Sequence, residues 1–344
     1  MLRFPHLLLG LTLIAACGQQ TPDPSLVTPP APNGPTTWLT GDAADVTRTT
    51  TPGTLLAGGG TDVNEAMRWL LKKSGGGDVV VLRASGSNGY NTYLFSELGE
   101  TVNSVETILL NSTAWVNDEA VEQKIRNAEA LFIAGGDQAN HVNYWKGSKA
   151  EAAINYLINT KKVPVGGTSA GCAILAQIYY PALKESLTAA EGLGDPYHAN
   201  LMLGRGDFLE TPFLSNTITD THFAERNRQG RLVAFLARMR QDWNLTTARG
   251  IGVGERTAVA IDATGMAQVF GSGTAYFVTP NTLTGPEQCV AGKPLRWVAD
   301  KKAIRVIGIQ GNAQGTGTFN LSTWATPTGT TPMFWYVDEG VVNE

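Results

Sequence analysis

From residue 54 onward, short apolar runs alternate with stretches whose apolar positions recur every three or four residues. TLLAG closes on Gly58-Gly59-Gly60, and Val63, Ala66, Leu70 and Leu71 then follow at helical spacing. Asp62 and Glu65 stand in a D-x-x-E arrangement that predicts a cap for that helix. DVVVLRA, VETILL, ALFIAGG and KKVPVGG read as buried strands. Amphipathic segments at 118–127 and 148–160 lie between them, and a helix is predicted from Ala170. Strands that alternate with helices predict a mostly parallel sheet covered on both faces. The site of such a sheet lies at the carboxyl ends of its strands, where the glycine-rich turns fall. After about residue 250 the texture changes. GIGVGERTAVAID, GMAQVFGSG, TAYFVTP and IRVIGIQG read as strands joined by turns, and they are expected to extend or edge the same sheet as antiparallel additions.

The amino-terminal pattern is different. In MLRFPHLLLGLTLIAAC, Arg3 and the free amine precede an apolar stretch from Leu7 to Ala15 that is too short to span a bilayer. This is the pattern of a secretory signal. The run Leu13-Ile14-Ala15-Ala16-Cys17 resembles the lipobox of bacterial lipoproteins, which implies cleavage before Cys17 and lipidation of its thiol. Residues 18–52, rich in Pro, Thr, Gly and Asp, read as a disordered tether. The expected organisation is therefore a leader over 1–17, a tether over 18–52 and one α/β domain over 53–344, with a β-rich extension over 265–344. No internal repeat and no linker divide that body.

Composition narrows the classes of function. Apolar residues make up 42% of the 344, enough for a sizeable core, and a net charge of −4 gives no sign of a nucleic-acid binder. With Cys17 lipidated, Cys172 and Cys289 remain, and both are expected to be buried free thiols rather than a disulfide framework. No CxxC or His-rich spacing suggests zinc, and no metal or cofactor is expected.

Candidate chemistry concentrates in VPVGGTSAGCAILAQ. A strand runs into Gly167-Thr168-Ser169-Ala170-Gly171 and a helix begins at once, the G-x-S-x-G arrangement of a nucleophile elbow. The sharp turn needs small neighbours. It lifts the Ser169 hydroxyl from the sheet top, next to a helix N-terminus that favours negative charge. Such a serine needs a base. His6 leaves with the leader, and His141 and His198 lie in polar, loop-like surroundings. His222 ends a β-branched run and is the expected base. Glu255 in GIGVGERTA is the first choice for the acid that orients it, with Glu185 the runner-up. Asp220, close to His222 in sequence, is set aside as the orienting acid.

GGTSAG, the earlier LFIAGGDQ and the later THFAERNRQGRL and GIGVGERTA resemble the motifs of cyanophycinases and related family S51 peptidases. The resemblance spans residues 131–258. It implies a three-layer α/β/α sandwich, flavodoxin-like or class I glutamine amidotransferase-like. It also implies a Ser-His-acid mechanism without metal, and substrates with aspartyl peptide links such as the β-Asp-Arg units of cyanophycin. By position, Ser169 looks like the nucleophile, His222 the base and Glu255 the acid. Gln138 looks like a substrate-binding residue, and Arg226, Arg228 and Arg231 look like the arginines near the pocket. Guanidinium groups there would grip the substrate's free carboxylates. The backbone N–H groups of Gly136 and Ala170 are the expected oxyanion donors.

The expected function is thus an exported serine exopeptidase, lipid-anchored or secreted, that releases β-Asp-Arg dipeptides. The alternatives are an α-aspartyl dipeptidase or esterase, or a non-catalytic surface binding protein on the same fold. Gly58-Gly59-Gly60-Thr61 lacks the spacing of a dinucleotide loop and has no Walker lysine. The expected partners are a peptide or cyanophycin-like polymer as substrate, the membrane through the lipidated terminus alone, and a second copy of the chain as a homodimer; no nucleic acid is expected.

Overall fold

A computed structural model describes residues 34–281 and 283–344. The leader and Cys17 lie outside the described residues. The chain enters as β1 (Thr37–Gly41) and β2 (Gly53–Ala57), then continues as α1 (Asn64–Lys73), β3 (Asp78–Arg83), β4 (Ser104–Leu109) and α2 (Glu119–Asn127). There follow β5 (Ala130–Ile133), α3 (Gln138–Trp145), α4 (Lys149–Tyr156), β6 (Pro164–Thr168) and α5 (Ala170–Ala173). Short strands β7 (Ile178–Tyr179) and β8 (Gly204–Arg205) flank α6 (Ala189–Gly194) and lead to β9 (Thr217–Thr221), α7 (Gln229–Trp243) and β10 (Arg249–Val253). The remainder is mostly strand: β11 (Thr257–Asp262), β12 (Met266–Gly271), β13 (Thr274–Pro280), β14 (Ile304–Gln310), β15 (Gly317–Asn320), β16 (Met333–Asp338) and β17 (Val341–Asn343).

The predicted parallel sheet is present. Strands β4, β3, β5, β6 and β2 pair in parallel in that order. Successive residues of β3 serve opposite faces. Val79 and Val81 pack with Met67, Leu70 and Leu71 of α1, whereas Val80 and Leu82 join Val121, Ile125 and Ile154 of α2 and α4. A strand covered on both sides must be apolar at every position, which is why DVVVLR shows no alternation. Helix α2 begins where the Asp118 carboxylate accepts the Val121 N–H at 3.0 Å, with Glu119 and Glu122 in its first turn and Arg126 in its last.

Three expectations are corrected. First, the carboxyl-terminal strands do not all join one sheet. β11, β12 and β15 extend the parallel sheet, which with β1 at its other edge has nine strands, but β10, β13, β14, β16 and β17 form a second, eight-stranded sheet with β7, β8 and β9. One face of that sheet carries Ile218, Val278 and Val306 against α7. The other carries Ile251, Val253 and Phe277, which share a core with Val259, Val269 and Phe319 of the first sheet. Second, the ordered body starts before residue 53. β1 adds antiparallel to β4, and the Val46 N–H donates to Asp78 at 3.0 Å. Backbone pairing at a sheet edge needs little apolar content, so the polar composition of this stretch did not betray it. Third, Asp62 does not cap α1. Val63 holds the cap position without a side-chain bond, and the Asp62 carboxylate turns inward to accept the Tyr90 hydroxyl at 2.6 Å.

Replacing Asp118 with alanine is expected to cost about 1 kcal/mol, seen as a lower denaturant midpoint at unchanged slope. An unchanged midpoint would show that the cap contributes nothing.

Candidate active site

Strand β6 ends in a turn that only small residues fit. A Cβ on Gly167 would lie 2.6 Å from the Gly171 carbonyl carbon, and one on Gly171 would lie 2.2 Å from the Ile133 oxygen. Ser169 between them takes φ +51° and ψ −117°, a strained conformation for a residue with a side chain. This is the geometry of the predicted elbow. The Ser169 hydroxyl lies 2.7 Å from His222 Nε2, and His222 Nδ1 lies 2.6 Å from Glu255 Oε1. With the Nδ1 proton donated to the carboxylate, Nε2 is left free to accept from the serine.

The three side chains come from both sheets. Ser169 follows β6 in the first, His222 follows β9 in the second, and Glu255 sits where the chain leaves β10 of the second sheet to enter β11 of the first. The end of β2 joins them. The carbonyl of Ala57 accepts the Ser169 N–H at 3.0 Å, that of Gly58 accepts the His222 N–H at 2.8 Å, and that of Gly59 accepts the Arg256 N–H at 3.0 Å. Side chains would destroy this ledge. A Cβ on Gly58 would fall 1.9 Å from the Gly254 oxygen, and one on Gly59, at φ +98°, would fall 2.4 Å from His222 Cε1.

His222 is 6% exposed. Burial pushes its pKa below the ordinary histidine value. Arg226 and Arg228 push the same way, while the bond to Glu255 opposes them. Glu255 is held below the usual carboxylate range, chiefly by its bond to His222, with help from Arg226 and Arg256. Its N–H donates to Glu225 at 2.9 Å, which fixes the crossover. Glu185, the other candidate acid, is exposed at the surface, and its backbone carbonyl accepts the Tyr180 hydroxyl. The carboxylate on His222 is that of Glu255.

The remaining expected residues divide. Gly135 passes over the nucleophile, its Cβ position 3.3 Å from that of Ser169. Gly136 adopts φ +147°, and Gln138 opens α3 half-buried, next to Asp137, which caps the helix through the Ala139 N–H at 2.9 Å. Ala170 is the first residue of α5 after the nucleophile. Arg226 is exposed beside the array. Arg228 is part-buried and donates to the Thr221 carbonyl at 2.7 Å; burial lowers its pKa to about 10. Arg231 is corrected. Its side chain is 3% exposed, and its guanidinium grips both oxygens of Asp220 at 2.7 and 2.5 Å and donates to the Leu187 carbonyl, so no face of it is offered to a substrate. The chain leaves β9 before His222, which takes φ +49°, and the Asp220 carboxylate is held by Arg231; its burial inside β9 demands the counter-charge that Arg231 supplies.

Two further readings meet the structure here. His141 is not in a loop: it lies in α3, fully buried, and donates from Nδ1 to the Asp137 carbonyl at 3.0 Å, with a pKa pushed down to about 4 by burial. Cys172 and Cys289 are buried free thiols.

A doubly covered parallel sheet with a Ser-His-Glu array at its strand ends defines an α/β fold with a hydrolase-type constellation. Residues 89–268, just over half of the chain, match the family described as peptidase family S51, and the chain belongs to that family. It is 25% identical over 194 residues to a cyanophycinase of Nostoc sp. (strain PCC 7120 / SAG 25.82 / UTEX 2576), covering 56% of this chain and 58% of that one. It is 24% identical over 192 residues to a cyanophycinase of Synechococcus elongatus, covering 56% and 53%. The chain thus spans little more than half the length of these relatives. Among solved structures, a peptidase from an acI-B1 Actinobacterium superposes with a TM-score of 0.51 at 13% identity, over 79% of this chain and 98% of that one, and so shares the fold.

The electrostatics predict the titration of the imidazole. By NMR, His222 should titrate below the ordinary histidine value. Arg226→Ala removes a cation that disfavours the imidazolium, so the pKa should rise. A fall, or no change, would mean that Arg226 does not act on the ring.

Proposed function

We propose that this chain is an exported serine exopeptidase that hydrolyses aspartyl peptide links and releases β-Asp-Arg dipeptides from cyanophycin. The observation that carries the reading is the unbroken relay from the Ser169 hydroxyl through His222 to Glu255, at 2.7 and 2.6 Å. The cyanophycinases that the chain resembles and the arginines Arg226 and Arg228 beside His222 support the substrate class, to which Gln138 is added by position.

Ser169 Oγ attacks the scissile carbonyl carbon as its proton passes to His222 Nε2, and the carbonyl electron pair moves onto oxygen. Glu255 stabilises the imidazolium. The N–H groups of Gly136 and Ala170 receive the oxyanion. Collapse of the intermediate breaks the C–N bond, and the leaving amine takes the proton from Nε2. Water then attacks the acyl-serine ester with His222 again as base, which restores the hydroxyl. Arg226 and Arg228 attract the free carboxylates of the β-Asp-Arg unit. The leader at residues 1–17 would place the enzyme outside the cytoplasm, on polymer or peptides met there, with Cys17 as its lipid anchor.

Mass spectrometry after incubation with cyanophycin should detect Asp-Arg dipeptides. Ser169→Ala should lower their release by a factor on the order of 10³ or more, and full activity in that variant would overturn the reading. Arg226→Ala should raise KM for substrates bearing free carboxylates and leave a neutral ester unaffected. Equal losses on both would assign Arg226 no part in recognition. Incorporation of labelled palmitate, abolished in Cys17→Ser, is the expected result for the anchor, and persistent labelling would remove it.

A further inference from the structure

Beside the array lies a hollow of about 440 Å³, set between the segment that leaves β2 and the loop that follows β3. That volume is in the range of small-molecule sites. Gly60, Asp62 and Asn64 form one wall, and Arg83, Tyr90 and Tyr93 form the other. The first wall is continuous with the relay. A Cβ on Gly60 would lie 3.1 Å from Glu255 Oε2, and Gly59 before it lies against the imidazole ring. The second wall reaches the oxyanion turn, because Ser85 Oγ lies 3.3 Å from the Cβ position of Gly136. The two walls therefore touch opposite ends of the array.

Two tyrosines join the walls. The Tyr90 hydroxyl donates to Asp62 Oδ2 at 2.6 Å, and the Tyr93 hydroxyl donates to Asn64 at 2.9 Å. The second oxygen of Asp62 is shut off from solvent. The acid of the hollow is thus engaged, and the charge left uncommitted is that of Arg83. Half-buried Arg83 donates from Nε to the Ser85 carbonyl and from Nη1 to the Ser87 carbonyl, each at 2.9 Å, and its guanidinium carbon stands 6.0 Å from the centre of the Tyr90 ring. These contacts hold the planar fork in one orientation and supply no negative charge. Among the described residues no carboxylate pairs with Arg83, and its Nη2 makes no hydrogen bond. Small residues keep that side clear. A Cβ on Gly86, at φ +90°, would stand 2.7 Å from Nη2, and one on Gly89 at the rim would meet nothing within 4 Å.

We propose that this hollow is a substrate subsite in which Arg83 determines specificity, its Nη2 taking a free carboxylate of the peptide. A half-buried cation that is already oriented and has no anionic partner gains a charge-assisted bond from such a group. An amide in its place keeps an acceptor oxygen but loses the charge. The proposal rests on the hydrolase reading above. It extends recognition to a cation carried by the first sheet, apart from Arg226 and Arg228, which follow β9 of the second.

The test is binding, measured by calorimetry on the Ser169→Ala background so that no turnover intervenes. The probes are the β-Asp-Arg dipeptide, the same dipeptide amidated at the arginine carboxyl, and the same dipeptide amidated at the aspartate α-carboxyl. Ser169→Ala should bind the free dipeptide about 10- to 100-fold more tightly than one of these amides, and that amide identifies the carboxylate held. Adding Arg83→Gln should bring the free dipeptide and that amide to the same Kd and leave the comparison with the other amide unchanged. Arg83→Lys, which keeps the charge without the fork, should retain part of the preference. A loosened loop alone would weaken all the ligands by one factor. Such uniform weakening, a preference that survives Arg83→Gln, or no binding of the free dipeptide to Ser169→Ala would overturn the proposal. If the wild-type protein cleaves no peptide, the hydrolase reading fails, while the ratio of acid to amide binding still decides the role of Arg83.

Discussion

Three consecutive carbonyl groups, those of Ala57, Gly58 and Gly59, organise the site. Each takes one N–H: from the nucleophile, from the base, and from the residue beside the acid. A peptide plane has little freedom, so accepting at three successive oxygens fixes three separate chain segments to one short rod. The two glycines are a steric consequence, because the His222 ring and the Gly254 carbonyl occupy the space where Cβ atoms would stand.

The same constraint explains why two sheets build one site. β2 lies inside the first sheet between β6 and β11, so its carboxyl end emerges where β6 delivers Ser169. β9 and β10 of the second sheet run parallel and deliver His222 and the approach to Glu255 at the same edge. Their shared apolar core, with Phe277 stacked on Phe319 at 4.0 Å, holds the sheets together behind the site. The buried Asp220–Arg231 pair ties β9 to α7, while Arg226 is exposed and the part-buried Arg228 donates to the Thr221 carbonyl.

Much of this was legible in the sequence, for identifiable reasons. The elbow is written in residue size, since Gly167 and Gly171 leave no room for a side chain at those approaches. His222 and Glu255 followed from lying at strand ends. What escaped depended on distant partners. The D-x-x-E spacing at Asp62 is a local pattern, whereas the residue that captures the acid, Tyr90, lies 28 positions away. The β-rich tail showed its strands but not which sheet each would join, because alternation reports a face and not a neighbour. For Arg231 a signal was available: an acid inside the fully buried strand TITDT requires a cation, and the helix that follows carries one.

Delivery of the nucleophile by one sheet and of the base by the other has a consequence for how the protein fails. Heat, solvent or pressure that lets the sheets slide by an ångström would separate the hydroxyl from the imidazole while every strand kept its own ladder. Spectra sensitive to secondary structure would register nothing at that point. The Ser169–His222 contact can therefore be lost well before the molecule unravels, and on cooling it would be regained by re-seating two intact layers, with no need to refold the chain.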